Sequence, residues 1–130
     1  MSGLKDLDTF IHELIAVFPE LADEVRDEDY SGLISLQIGC LKRFTQKAID
    51  NSDWDTVKSS FDFVDSNMDN VELRIQNALG ISYINKLIIE KGSKADKMFP
   101  ASFRKIRNEL KHYYESLPSD DKLNNFIKNL

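Results

Sequence analysis

The chain has 130 residues, 42% of them apolar and 30% charged, with a single cysteine. That size suits one domain spanning 1–130, and it hides roughly two-thirds of the chain's surface on folding, enough for a core without metal or disulfide staples. No apolar run approaches the roughly 20 residues of a bilayer span, and MSGLKDLDTF shows no basic stretch leading into an apolar one. With Cys40 alone a reducing compartment fits, so a cytoplasmic protein is expected. The net charge of −5 is uneven: residues 1–85 carry 16 acids and 7 bases, or −9, and residues 86–130 carry 6 acids and 10 bases, or +4. The acidic majority argues against general nucleic-acid binding, and the split suggests a partner surface or two faces that attract each other.

Period-2 alternation is absent, while helical periodicity recurs along the whole chain, so the expected fold is all-α. Leu4, Leu7, Ile11, Leu14 and Phe18 form the first stripe, flanked by Phe10 and Ile15, and Pro19 ends it or starts a short second helix. Ser31 is the expected cap of the next helix, with Leu33, Leu36, Cys40, Leu41, Phe44 and Ala48 inward. Asp53 caps a further helix that turns Trp54, Val57, Phe61, Val64 and Met68 to the core. A helix from near Val71 to Ile88 is apolar all round and is expected to be buried, with Gly80 at a close helix crossing and Asn77, Ser82 and Asn85 needing partners. EKGSKADK, residues 90–97, reads as a loop. Pro100 opens a helix with Phe103, Ile106, Leu110, Tyr114 and Leu117 on one face, and after Pro118 a last helix capped by Ser119 carries Leu123, Phe126, Ile127 and Leu130. The sum is about six helices in an irregular bundle or a short stack of helical hairpins.

The densest charge is DEVRDEDY, residues 23–30. Asp27, Glu28 and Asp29 either sit at the positive end of the following helix or form an acidic docking surface. Farther on, Asp55, Asp62 and Asp69 are spaced by seven and share one stripe, with Asp65 between that stripe and the core face. Aspartate is a poor helix former and like charges at helical spacing repel, so stability alone does not select this pattern; a solvated face is the plain alternative. Phe63 projects from the side opposite Trp54, Phe61 and Met68. Either a second layer of the fold covers it, the reading taken for most aromatic rings, or it is an exposed anchor among the acids. These eight residues are the candidate partner-binding set. No calcium-loop pattern, P-loop or nucleophile elbow is present, Cys40 falls on a core stripe, and His12 has no ligand partner at metal spacing, so neither a metal nor a cofactor is expected.

RNELKHYY, residues 107–114, reads R-N-x-x-x-H-x-Y and resembles the signature of the HEPN family of small helical ribonucleases. The resemblance implies active-site roles for Arg107, Asn108, His112 and Tyr114. Five residues on a regular helix turn through about 140°, so Arg107 and His112 do not converge unaided. The plain reading is a solvated basic flank.

A longer stretch, FDFVDSNMDNVELRIQNALGISYINKL, resembles a family of small all-helical bacterial proteins found with polymorphic toxins. Its phrase N-A-x-x-x-S-[FY]-x-x-x-L is here Asn77, Ala78, Ser82, Tyr83 and Leu87, and MFPASFRK resembles the same family's last segment. The resemblance implies an immunity-type protein that binds and blocks a toxin, as in contact-dependent growth inhibition. The expectation is therefore a non-enzymatic cytoplasmic protein that occludes a basic toxin surface, such as the groove of a nuclease, through an acidic face, without binding nucleic acid or membrane itself. A HEPN-like ribonuclease and a plain helical adaptor are the alternatives.

Overall fold

A computed structural model describes residues 3–116, in which seven α-helices pack around one core and no strand forms. Helix α1 (Leu7–Val17) is capped by Asp6, whose carboxylate accepts from the Thr9 N–H at 2.9 Å, and it buries Leu7, Phe10, Ile11 and Leu14. The residues before it are tied in place by two backbone bonds, Lys5 N–H to Asn70 O at 2.7 Å and Glu72 N–H to Lys5 O at 3.0 Å. A 3-10 turn at Pro19–Leu21 leads into the short α2 (Ala22–Val25).

Helix α3 (Ile34–Asp50) starts later than expected. Ser31 is not its cap: the turn runs on through Gly32, whose φ of 78° suits glycine, and Leu33 stands at the cap position. The buried face is correspondingly offset. Gln37, Ile38, Cys40, Leu41, Thr45 and Ala48 point inward, while Leu33 and Leu36 are exposed and Phe44 is half-buried.

Helix α4 (Trp54–Asn67) is capped by Asp53, as its position after Ser52 implies. It is covered on two sides. Phe63 lies 5.6 Å from the Phe10 ring and 5.9 Å from Phe18, and Phe61 lies 5.6 Å from Phe99 and 5.8 Å from Phe103. These tilted and edge-on contacts join α1 and the C-terminal helices through α4, each pair adding about 0.5–1.5 kcal/mol beyond its buried area.

Helix α5 (Leu73–Ala78) continues as a π turn, Leu79–Ile84, in which the Asn85 N–H donates to the Gly80 carbonyl at 2.9 Å. The π turn resolves a conflict in the sequence. A regular helix that buries Ile75, Ala78 and Leu79 would next bury Ser82 and Lys86. The wider turn shifts the register by one, so that Tyr83 and Leu87 enter the core instead. The buried Tyr83 hydroxyl lies 3.0 Å from Thr45 Oγ1, which itself donates to the Leu41 carbonyl at 3.0 Å. The expected helix to Ile88, buried all round, is thus replaced by a shorter element. Leu73, Ile81 and Ile88 are exposed, and Asn77 and Asn85 reach solvent and need no buried partner. Beyond the π turn, Gln46 holds Ile88 by both its backbone groups, at 2.8 and 3.0 Å.

The segment 90–97 is not all loop. Ser93 caps a short α6 (Lys94–Met98), and the Asp96 carboxylate accepts from Gly92 N–H at 2.9 Å, which holds it below the usual carboxylate range together with Arg104. Pro100 then opens α7 (Ala101–Ser116). Phe103 is buried and Ile106 and Leu110 are half-buried, but Tyr113 and Tyr114 are exposed, so the end of α7 stands clear of the core. Gly80 does lie at a close crossing, since a Cβ there would meet Ile106 Cγ2 at 3.4 Å. The helix expected after Pro118 lies outside the described residues.

Candidate partner-binding groove

The acidic residues singled out in the sequence fall in two places. Asp27, Glu28 and Asp29 are exposed in the turn between α2 and α3, where the Asp27 carboxylate accepts from the Asp29 N–H at 2.9 Å. Because α3 begins only at Ile34, they lie outside its first turn, and the helix-dipole role does not apply. Nearby, Glu24 pairs with Arg43 at 2.6 Å, and the adjoining Cys40 and Arg43 side chains lower its carboxyl pKa.

The second set lies on and after α4. Asp55 is exposed in the first turn, where it complements the helix dipole. Asp62 pairs with Lys58 at 2.7 Å across one exposed helical turn, and Asp65 accepts from the Ser102 hydroxyl of α7 at 2.6 Å. Asp69, in the turn that follows, has no hydrogen bond or ion pair from its side chain among the described residues. Phe63 does not belong with them as an exposed anchor. It is 8% exposed and packed between Phe10 and Phe18, because α1 supplies the second layer that covers that side of α4.

What Asp65 and Asp69 border instead is a groove between the end of α4, the α5–π turn segment and α7. Its larger part, about 390 Å³, is lined by Met68, Gly80, Ile81, Ile106, Leu110 and Tyr113. An adjoining part of about 230 Å³ shares Met68, Gln76, Ile106 and Glu109 and adds Asp65, Asp69, Ser102 and Lys105. The local reasons are legible residue by residue. Gly80 leaves its wall without a side chain, Ile81 beside it is 42% exposed, and α7 projects far enough to offer Tyr113 at 59%. Glu109 joins Asp65 and Asp69 in the rim, opposed by Lys105. Sequence reasoning missed Ile81, Glu109 and Tyr113. Ile81 reads as core when the helix is taken to be buried all round.

The R-N-x-x-x-H-x-Y residues do not assemble into a site within the described chain. Arg107 turns inward: its Nε donates to the Ile84 carbonyl at 2.9 Å, an Nη donates to the Leu87 carbonyl, and the guanidinium lies 4.6 Å from the Phe99 ring centre. Partial burial, followed by the neighbouring Arg104, lowers its pKa. Asn108, His112 and Tyr114 are exposed. Arg107 therefore satisfies carbonyls that the end of the π turn leaves open.

Cys40 is buried on α3, donates to the Leu36 carbonyl at 3.4 Å, and has its thiol pushed up to about 12, chiefly by burial and then by Glu24. His12 is exposed, with Nδ1 2.8 Å from the Asp8 carbonyl oxygen. Among the described residues no group of three or more His, Cys, Asp or Glu side chains is placed to hold a metal ion, and no helix is long and apolar enough to cross a membrane.

The architecture defines a small all-α domain whose α4, α5 and α7 enclose an acid-rimmed apolar groove. The chain belongs to the family described as domain of unknown function DUF7674, whose model matches residues 11–115 and so covers every groove-lining residue. The chain is matched by no curated protein and by no solved structure.

Proposed function

We propose that this domain is an immunity-type binding protein that acts in the cytoplasm without catalysis, docking its acid-rimmed groove onto a basic surface of a protein toxin and covering the toxin's active or substrate-binding site. The observation that carries the reading is the union of charge and apolar surface: Asp65, Asp69 and Glu109 border a recess lined by Met68, Ile81, Ile106 and Tyr113. Apolar side chains supply adhesion and the rim supplies orientation, the usual division of work at interfaces. Asp69 and Glu109 have no ion pair to give up on meeting a cation, whereas Asp62 must leave Lys58. Asp27, Glu28 and Asp29 extend the attraction as a second acidic patch and speed encounter over distances of about a Debye length.

The ribonuclease alternative has less support, since the donors of Arg107 already serve the Ile84 and Leu87 carbonyls. The experiment is co-expression with the variable C-terminal domain of a secreted toxin encoded beside this chain's gene. The expected result is protection of the cells and a complex that survives purification. Growth arrest undiminished by the chain, with no complex formed, would refute the immunity reading and favour a plain helical adaptor.

A further inference from the structure

The groove is divided along α7. In its apolar part α7 contributes residues from Ile106 to Tyr113, beside Met68 and Ile81. In its acidic part α7 contributes residues from Ser102 to Glu109, beside Asp65 and Asp69. Ile106 and Glu109 line both parts, so the two are contiguous. Each boundary on α7 is displaced by four residues between the parts, or about 6 Å at a rise of 1.5 Å per residue.

That displacement is close to one helical pitch, the separation of side chains at i and i+4 on one face. A helix lying along α7 therefore places one side chain in each part. An extended segment has similar spacing at i and i+2, but it brings open backbone N–H and C=O groups. The groove's walls are helical and offer no strand edge to pair them. The two parts also ask for different side chains. Ile81 and Tyr113 are large apolar residues left open on opposite walls of the first. The second sets Asp65, Asp69 and Glu109 against Lys105 alone, and the Asp69 side chain has no partner among the described residues. A second copy of the chain fits poorly, because two copies of this rim would set acid against acid.

We propose that, with the toxin of the immunity reading as partner, the groove seats one amphipathic helix of that toxin. The helix carries a large apolar residue and, one turn away on the same face, a lysine or arginine. The apolar side chain enters between Ile81, Ile106 and Tyr113, and the cation meets Asp69. This is recognition of a helix in a groove, with the apolar anchor supplying adhesion and the cation fixing register.

The test titrates the full chain, labelled with nitrogen-15, with stapled helical peptides of about 15 residues in an alanine and glutamine background. One peptide carries tryptophan and lysine four residues apart. A second carries the same pair two residues apart, on opposite sides of the helix, and a third has glutamine in place of the lysine. The expected result is saturable binding of the first, with amide shifts centred on Asp69, Ile81 and Ile106, about tenfold tighter than either of the others. Asp69→Asn combined with Glu109→Gln should erase the advantage of lysine over glutamine. Ile81→Ser should weaken the first and third peptides alike, by about fivefold or more, with the fold intact in the amide spectrum. No saturable shift at about 1 mM peptide, where an affinity of about 0.1 mM would nearly saturate, would overturn the proposal. So would equal binding at the two spacings, and so would shifts of the groove amides on dilution of the peptide-free chain, which would mark a second copy as the occupant. No toxin enters the titration, so its failure leaves the co-expression test of the immunity reading standing. Failed co-expression with the first peptide still bound would refute the immunity reading and keep the groove's specificity for a helix.

Discussion

The contact between Tyr83 and Thr45 allows a prediction whose size and sign both follow from the structure. The Thr45 hydroxyl has one hydrogen, and it is given to the Leu41 carbonyl one turn back at 3.0 Å. The bond at 3.0 Å between Tyr83 Oη and Thr45 Oγ1 must then be donated by tyrosine. Removing the donor and removing the acceptor are therefore unequal. Tyr83→Phe loses one buried hydrogen bond but leaves the threonine hydroxyl paired with Leu41, a cost of about 1 kcal/mol. Thr45→Val keeps shape but leaves a phenol hydrogen unpaired at a fully buried site, a cost of about 2–3 kcal/mol. In the double variant the orphan is gone, so the cost falls back toward that of Tyr83→Phe, with a coupling of about 1 kcal/mol or more. Urea unfolding measures all three; with a slope of about 2 kcal/mol per molar, Thr45→Val should lower the midpoint by about 1 M. Equal effects of the two single variants, or simple additivity, would show that the π turn does not place Tyr83 against α3 as described.

Two further outcomes follow. The Cys40 thiol, lifted to about 12 from its ordinary 9.0, stays protonated in the fold, so iodoacetamide should label the native protein far more slowly than the unfolded chain at pH 8. Because its folded pKa is raised, that part of the stability is complete below about pH 9 and is lost as pH rises toward 12, and burial of Tyr83 acts in the same direction at still higher pH; urea midpoints across this window check both. Arg107→Ala should destabilise the domain by about 1–3 kcal/mol by exposing two carbonyls, while His112→Ala should leave the melting temperature and toxin protection unchanged; RNA cleavage by the purified protein that His112→Ala abolishes would reverse the functional reading.

Much of the architecture is written in local pattern. The α1 stripe from Leu7 to Phe18, the Asp53 cap and the Pro100 start follow from helical period and capping chemistry, and each is present, whereas Leu4, expected on the same stripe, is exposed ahead of the helix. The errors share a cause: tertiary contacts decide between faces that period alone leaves equivalent. Leu33 and Leu36 look like core until the turn through Gly32 delays α3 and hands the inside to Gln37 and Ile38. Phe63 points away from the main stripe of α4 yet is buried, because α1 covers that side. A helix apolar all round gives no sign of which side is left uncovered, so Ile81 is indistinguishable from a core residue, and the apolar lining of the groove stays hidden even though Asp65 and Asp69 on its rim are visible. The charge split between the chain's halves suggests a partner surface or two faces that attract each other; among the described residues Lys5–Glu13, Arg43–Glu24, Lys58–Asp62 and Arg104–Asp96 each pair within one half. The acids of the groove rim remain turned to solvent.

The central claim is that this rim recognises a basic protein surface. Its most direct measurement is the association rate of the purified domain with the C-terminal domain of a toxin against which it protects cells, across a series of salt concentrations, for the wild type and for the combined variant Asp65→Asn, Asp69→Asn and Glu109→Gln. The account predicts a rate that falls steeply with salt in the wild type, and a variant that associates about tenfold more slowly at low salt with a flatter salt dependence and an unchanged melting temperature. A variant that associates as fast as the wild type at every salt concentration would contradict it.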